Sequence, residues 1–129
     1  MEGKLKAGIY CRVISEEGRG LLEYQNRTLS ELADTNELKV IFSIKEVSNG
    51  KGFFTYEMKK VMHYIKAEKI NVLLIYSKKR ISIFDDLYEE FEMLCREHNV
   101  TIVIYNDIYE PLYNMTSDIL SQMLGQDEI

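Results

Sequence analysis

Proline occurs once in this chain, cysteine and histidine twice each, and tryptophan not at all. No hydrophobic run is long enough to cross a bilayer. The longest, such as Val72-Leu73-Leu74-Ile75-Tyr76, covers a single strand, and Met1-Glu2-Gly3-Lys4-Leu5-Lys6 lacks the apolar core of a signal peptide, so the expected address is the cytoplasm, with no membrane partner. Cys11 and Cys95 fall in a predicted strand and a predicted helix without metal-like spacing and read as reduced core residues. His63 and His98 lie in or beside helices and read as structural. With no Cys/His cluster, no glycine-rich phosphate loop of the Walker type and no paired acids, neither a metal nor a cofactor is expected. Excess positive charge is missing as well: the formal net charge is −5, so any affinity for DNA must come from a local patch or from a partner.

What is present is the pattern of one folded domain over residues 1–129. Near the N-terminus, Gly8-Ile9-Tyr10-Cys11-Arg12-Val13 is a β-prone run carrying one arginine, followed by Ile14, Ser15 and two acids. Leu22, Gln25, Leu29, Leu32 and Ala33 then recur at helical spacing, and Asp34-Thr35-Asn36 ends that helix. A strand at Lys39 to Val47 is closed by Ser48-Asn49-Gly50-Lys51-Gly52. Met58, Val61, Met62 and Ile65 mark a second helix, whose other faces carry Lys59, Lys60, Lys66 and Lys69 and read as a solubilising surface. The run Val72 to Tyr76 has the composition of a strand covered on both faces. Leu87, Phe91 and Leu94 mark a third helix that stops at Asn99, before the strand Val100 to Tyr105. Met58, Met62, Met93 and Met123 read as core filler. Thr116-Ser117-Asp118 can cap a short C-terminal helix bearing Ile119, Leu120, Met123 and Leu124.

Strands alternating with helices across short loops predict a three-layer α/β fold, with a mainly parallel central sheet of four or five strands, flanking helices and that short final helix. In such a sheet, ligands sit outside the carboxyl ends of the strands. The loops carrying Arg12 and Ser15, Ser48 to Gly52, and Ser77 to Ser82 therefore gather at one rim. Arg12, Lys78, Lys79 and Arg80 make this rim positive in an acidic chain, and a rim with arginines and a hydroxyl suits a phosphate. Read from the residues alone, Arg12 either binds an anion or pairs with an acid such as Glu46. Ser15 is either a nucleophile or a cap ahead of Glu16 and Glu17.

Tyr10-Cys11-Arg12-Val13, with Ser15-Glu16-Glu17 after it, resembles the opening signature of the serine recombinases, the resolvase and invertase family, usually Tyr-x-Arg-Val-Ser. Leu22-Glu23-Tyr24-Gln25 resembles the family's Leu-Glu-x-Gln helix, and Glu46-Val47-Ser48-Asn49-Gly50 its acidic Ser-Gly loop. Ile70 to Tyr76 resembles its third strand and Arg80-Ile81-Ser82 its Asp-Arg-Leu-Ser segment, so that ordered landmarks run from about Lys6 to Leu124. The resemblance implies a serine that attacks a DNA phosphodiester without metal or ATP, and arginines that stabilise the charge building on phosphorus. Carried onto this chain, the catalytic set is Ser15, Arg12 and Arg80, with Lys78, Lys79, Ser82 and Gln25 at the DNA phosphates.

The chain departs from the family pattern at several of these places. Ile14 occupies the nucleophile's position and Ser15 follows one residue later; Thr55 aligns with the second arginine, Lys79 with the aspartate before Arg80, and Ile83 with the third downstream arginine. On a strand, a one-residue offset turns a side chain to the opposite face, so Ser15 returns to the site only through a bulge or an early strand end. Family members also extend the last helix into a dimerisation rod and add a small DNA-binding domain, which this chain is expected to lack. The expectation is a serine-recombinase-like domain in DNA strand exchange, catalytically impaired and acting as an accessory. Its partner is DNA, held weakly through the basic rim, or a related recombinase, with a homodimer formed through the C-terminal helix. The alternatives are a protein-interaction or regulatory module unrelated to DNA cleavage, and a small-ligand or nucleotide sensor on the same rim.

Overall fold

The structure is a computed structural model that describes residues 4–49 and 52–108. Four strands, β1 (Lys6–Val13), β2 (Lys39–Val47), β3 (Val72–Ile75) and β4 (Thr101–Ile104), alternate with three helices, α1 (Arg19–Thr35), α2 (Tyr56–Lys66) and α3 (Asp85–Glu97). The strands form one parallel sheet in the order β2-β1-β3-β4. This is the parallel α/β architecture that the alternation of patterns predicts. The proposed C-terminal helix at 116–124 falls outside the described residues.

The central strands β1 and β3 are covered on both faces, which is why they read as nearly continuous apolar runs, whereas the edge strand β2 alternates buried and exposed residues. On one face Ala7, Ile9, Cys11, Val13, Val72 and Leu74 pack against Leu22, Leu29, Leu32 and Ala33 of α1. On the other, Tyr10, Phe42, Ile44, Leu73 and Ile75 pack against Met58, Val61 and Ile65 of α2 and against Tyr88, Phe91 and Cys95 of α3. The inner stripe of α1 is the expected set, Leu22, Gln25, Leu29, Leu32 and Ala33. That of α3 centres on Tyr88, Phe91 and Cys95, so Leu87 and Leu94 lie at its margin. Met58 is core, whereas Met93 is exposed on the outer face of α3. Asn99 has φ 62°, the left-handed conformation that asparagine tolerates and that terminates a helix.

Gly8 is required by packing. A Cβ there would sit 2.1 Å from the Phe42 ring, so its absence lets that ring lie flat on β1 and carry Tyr64 of α2 against its other side, 4.5 Å between centroids. Cys11 and Cys95 are free and buried, and burial pushes each thiol up to about 12. No helix among the described residues is long and apolar enough to cross a membrane.

Candidate functional site

The carboxyl ends of β1, β2 and β3 form the rim, and Arg12 is its centre. Arg12 is 3% exposed, deep for a guanidinium, and it points to the α2/α3 side with Tyr10. Its Nε donates to the carbonyl of Arg80 at 2.9 Å, its Nη1 to the carbonyl of Ser48 at 2.8 Å, and its Nη2 to the carbonyl of Lys79. A rigid, permanently charged fork thus ties the loop after β2 and the loop after β3 to the end of β1. Neither sequence alternative for Arg12 describes this. The parallel register does set Glu46 opposite Arg12, yet the carboxylate accepts from Tyr10, whose hydroxyl lies 2.5 Å from Oε1. Burial first, then the hydrogen bond and charge of Glu46, hold the Tyr10 phenol protonated well beyond its ordinary range.

Gln25 supports Arg12 from the opposite face. It is fully buried; its Nε2 donates to the Arg12 carbonyl at 3.2 Å and its Oε1 accepts from the Arg12 amide at 3.3 Å. Pairing of β1 with β3 runs only from Ala7 to Ile9, so this carboxamide satisfies backbone groups that β3 has left behind. The side chain that the sequence reading assigned to DNA phosphates is committed to the backbone.

Arg80 differs from Arg12. It is half-buried at the end of a 3-10 turn, Lys78–Arg80, and its Nε is buried without a hydrogen-bond partner among the described residues; the Ser48 hydroxyl is in the same condition. Burial, followed by the charge of Arg12, lowers the Arg80 pKa. Buried polar atoms are nearly always paired, and these two belong to residues whose carbonyls Arg12 holds.

The remaining sequence-assigned residues scatter. The Ser82 hydroxyl, buried, accepts from the Phe84 amide at 3.0 Å ahead of α3. Lys78 lies with its ammonium 5.3 Å from the centre of the Tyr88 ring, and Lys79 is exposed. Strand β1 ends at Val13, so Ile14 and Ser15 escape its alternation. Ile14 is 66% exposed, and Ser15 opens a 3-10 turn where its hydroxyl bonds the Glu17 carboxylate and lowers that carboxyl's pKa. Thr55, at the place of the second arginine, caps α2 by accepting from the Met58 amide at 3.1 Å. Beside Arg80, on the α1 side, sits a group the sequence reading missed. Tyr76 stacks on Tyr105 at 5.2 Å and meets Tyr24 edge-on at 6.1 Å, a row assembled from three separate elements. The described residues contain no group of His, Cys, Asp and Glu able to hold a metal ion.

The parallel α/β fold, with Arg12 and Arg80 at its carboxyl rim, is that of serine recombinase catalytic domains. The resolvase N-terminal domain family model matches residues 7–126, and the chain belongs to that family. Among solved structures, it is similar to the C-terminal catalytic domain of ISC1926 TnpA, an IS607-like serine recombinase, at 25% identity over 95% of this chain and 84% of that one, with a TM-score of 0.75. It shares its fold with the N-terminal catalytic domain of TP901-1 integrase, at 14% identity over 96% and 99% of the two chains and a TM-score of 0.71. A resolvase family site-specific recombinase from Streptococcus pneumoniae gives 16% identity, 97% and 93% coverage and a TM-score of 0.70. A comparison with curated proteins found no match.

Proposed function

We propose that this resolvase-family domain serves DNA recombination as an accessory that engages the DNA backbone through its rim, without cleaving the strand itself. The observation that carries the reading is the state of Arg12. Three of its five N–H donors go to backbone carbonyls and the side chain is only 3% exposed, so one of the two arginines available to a phosphoryl-transfer site acts as a strut. Charge developing on phosphorus needs several fixed donors acting together, and losses within such a set are not made good singly. Arg80, whose Nε has no hydrogen-bond partner among the described residues, remains as the phosphate ligand, and Lys78 and Lys79 add long-range attraction. A second copy of the chain, paired through the apolar stripe at 119–124, or a related recombinase in the cytoplasm would be its partner; this rests on the sequence pattern.

One observation favours a second reading, cleavage through Ser15: β1 ends at Val13, which removes the register objection to that hydroxyl. Supercoiled DNA carrying candidate recombination sites separates the two. The accessory reading expects the protein to be retained on DNA with affinity that falls steeply with salt, and no protein covalently joined to a DNA 5′ end, for wild type and Ser15→Ala alike. A covalent adduct that disappears in Ser15→Ala would establish the enzyme and overturn the accessory.

A further inference from the structure

The helical wheel of α2 reads as a solvated lysine face. The structure shows a trough there of about 450 Å³, lined by Tyr56, Lys59, Lys60, His63, Tyr64 and Lys69. A merely solubilising face needs neither concavity nor exposed aromatic rings, and this one has both. Tyr56 is 73% exposed, and the Lys60 ammonium stands 4.8 Å from the centre of its ring. Tyr64 forms a fixed wall, because its ring is packed on Phe42 over Gly8. Of the nearby acids, Glu57 pairs with Lys60 at 3.4 Å, and Glu68 lies 3.4 Å from the Nδ1 of His98. Lys59 and Lys69 have no ion-pair partner among the described residues, so the trough is positive within a chain of net charge −5.

We infer that this trough binds a nucleotide unit, its phosphate held by Lys59 and Lys69 and its base laid against Tyr56. An anion alone would need only the lysines. An exposed aromatic ring beside them suits a ligand with a flat π-face attached to a phosphate, the combination used by proteins that hold single strands. The position fits a strand that continues from the rim. Helix α2 begins at the rim end, capped by Thr55, and Lys69 lies past its far end, just before β3. The inference deepens the DNA-accessory reading and rests on it for the choice of a strand over a free nucleotide.

Fluorescence anisotropy with a labelled oligothymidylate of about 12 nucleotides, within the site size of a small domain, tests it. The double variant Lys59→Gln/Lys69→Gln is expected to bind about tenfold more weakly, with the salt slope reduced by about 0.7, as for one lost phosphate contact on a single strand. Tyr56→Leu is expected to weaken the single strand about tenfold while leaving a duplex unchanged. Competition by deoxythymidine monophosphate identifies a free nucleotide as the source; competition by the strand alone identifies DNA. Unchanged affinity and salt slope in the lysine pair overturn the inference, and so does displacement by polyglutamate as effective as by the strand, which would mark a surface for acidic proteins. Arg80→Gln keeps the two readings apart. If it abolishes binding while the lysine pair does not, the rim reading stands and the trough falls; if the lysine pair abolishes binding while Arg80→Gln does not, the trough stands and the rim falls. A wild-type protein that binds no strand overturns both.

Discussion

Arg12→Ala lowers the unfolding free energy by about 3 kcal/mol, because three carbonyls lose their donors at once and each buried group left unpaired costs on the order of 1–3 kcal/mol. For a chain of this length that corresponds to a fall in Tm of about 10 °C. The effect is larger than that of a surface arginine because Arg12 joins the ends of three segments, β1, the loop after β2 and the turn after β3. Arg12→Lys keeps the charge and recovers less than half of the loss, since an ammonium on a shorter stem cannot meet three carbonyls arranged around a planar fork. Urea and thermal unfolding of the two variants check this. A change below about 1 kcal/mol in Arg12→Ala would mean that water takes over the carbonyls and that the strut is dispensable.

Gln25→Leu is the second large effect. Leucine fits the buried volume and the helix, yet it removes the partner of both the amide and the carbonyl of Arg12 in a place where β3 no longer reaches β1. The expected cost is about 2–4 kcal/mol, the sum of two orphaned backbone groups. Exchange of the Arg12 amide with solvent should accelerate beyond what the global destabilisation explains, because the local bond is gone. Gln25→Glu gives no rescue: a carboxylate can accept from the amide but cannot donate to the carbonyl, and it would add an unpaired buried charge. Equal stability of wild type and Gln25→Leu would show that the carboxamide is a bystander.

Most of the fold is legible in the chain itself, because periodicity reports burial directly. The inner stripe of α1 and the extent of β2 follow from spacing and from β-branched residues. The inner face of α3 is less determinate: Leu87, Phe91 and Leu94 and the observed Tyr88, Phe91 and Cys95 both satisfy a 3.6-residue period, and a wide apolar stripe does not reveal its own centre. The site is harder to read for a different reason. The rim's location follows from topology, and Arg12 and Arg80 do meet there, but they meet through a backbone carbonyl. Carbonyls are present at every residue and leave no sequence signal, so the difference between a strut and a ligand is invisible until the loops are placed. Gln25 shows the same limit: its position on the buried stripe is readable, its partner is not. The trough on α2 depends on Gly8, Phe42 and Tyr64, three residues from three elements, and no single helix pattern contains it.

The central claim is that the rim holds two arginines of different kinds, Arg12 as structure and Arg80 as the group that faces an anion. The side-chain Nε–H signals of the two arginines, followed by ¹H–¹⁵N NMR while inorganic phosphate or a short DNA duplex is added, test it most directly. The Arg80 signal is expected to shift and saturate, whereas the Arg12 signal stays in place and exchanges slowly with water, as a proton held by the Arg80 carbonyl should. A titration in which the Arg12 signal moves with added anion and the Arg80 signal does not would contradict the account.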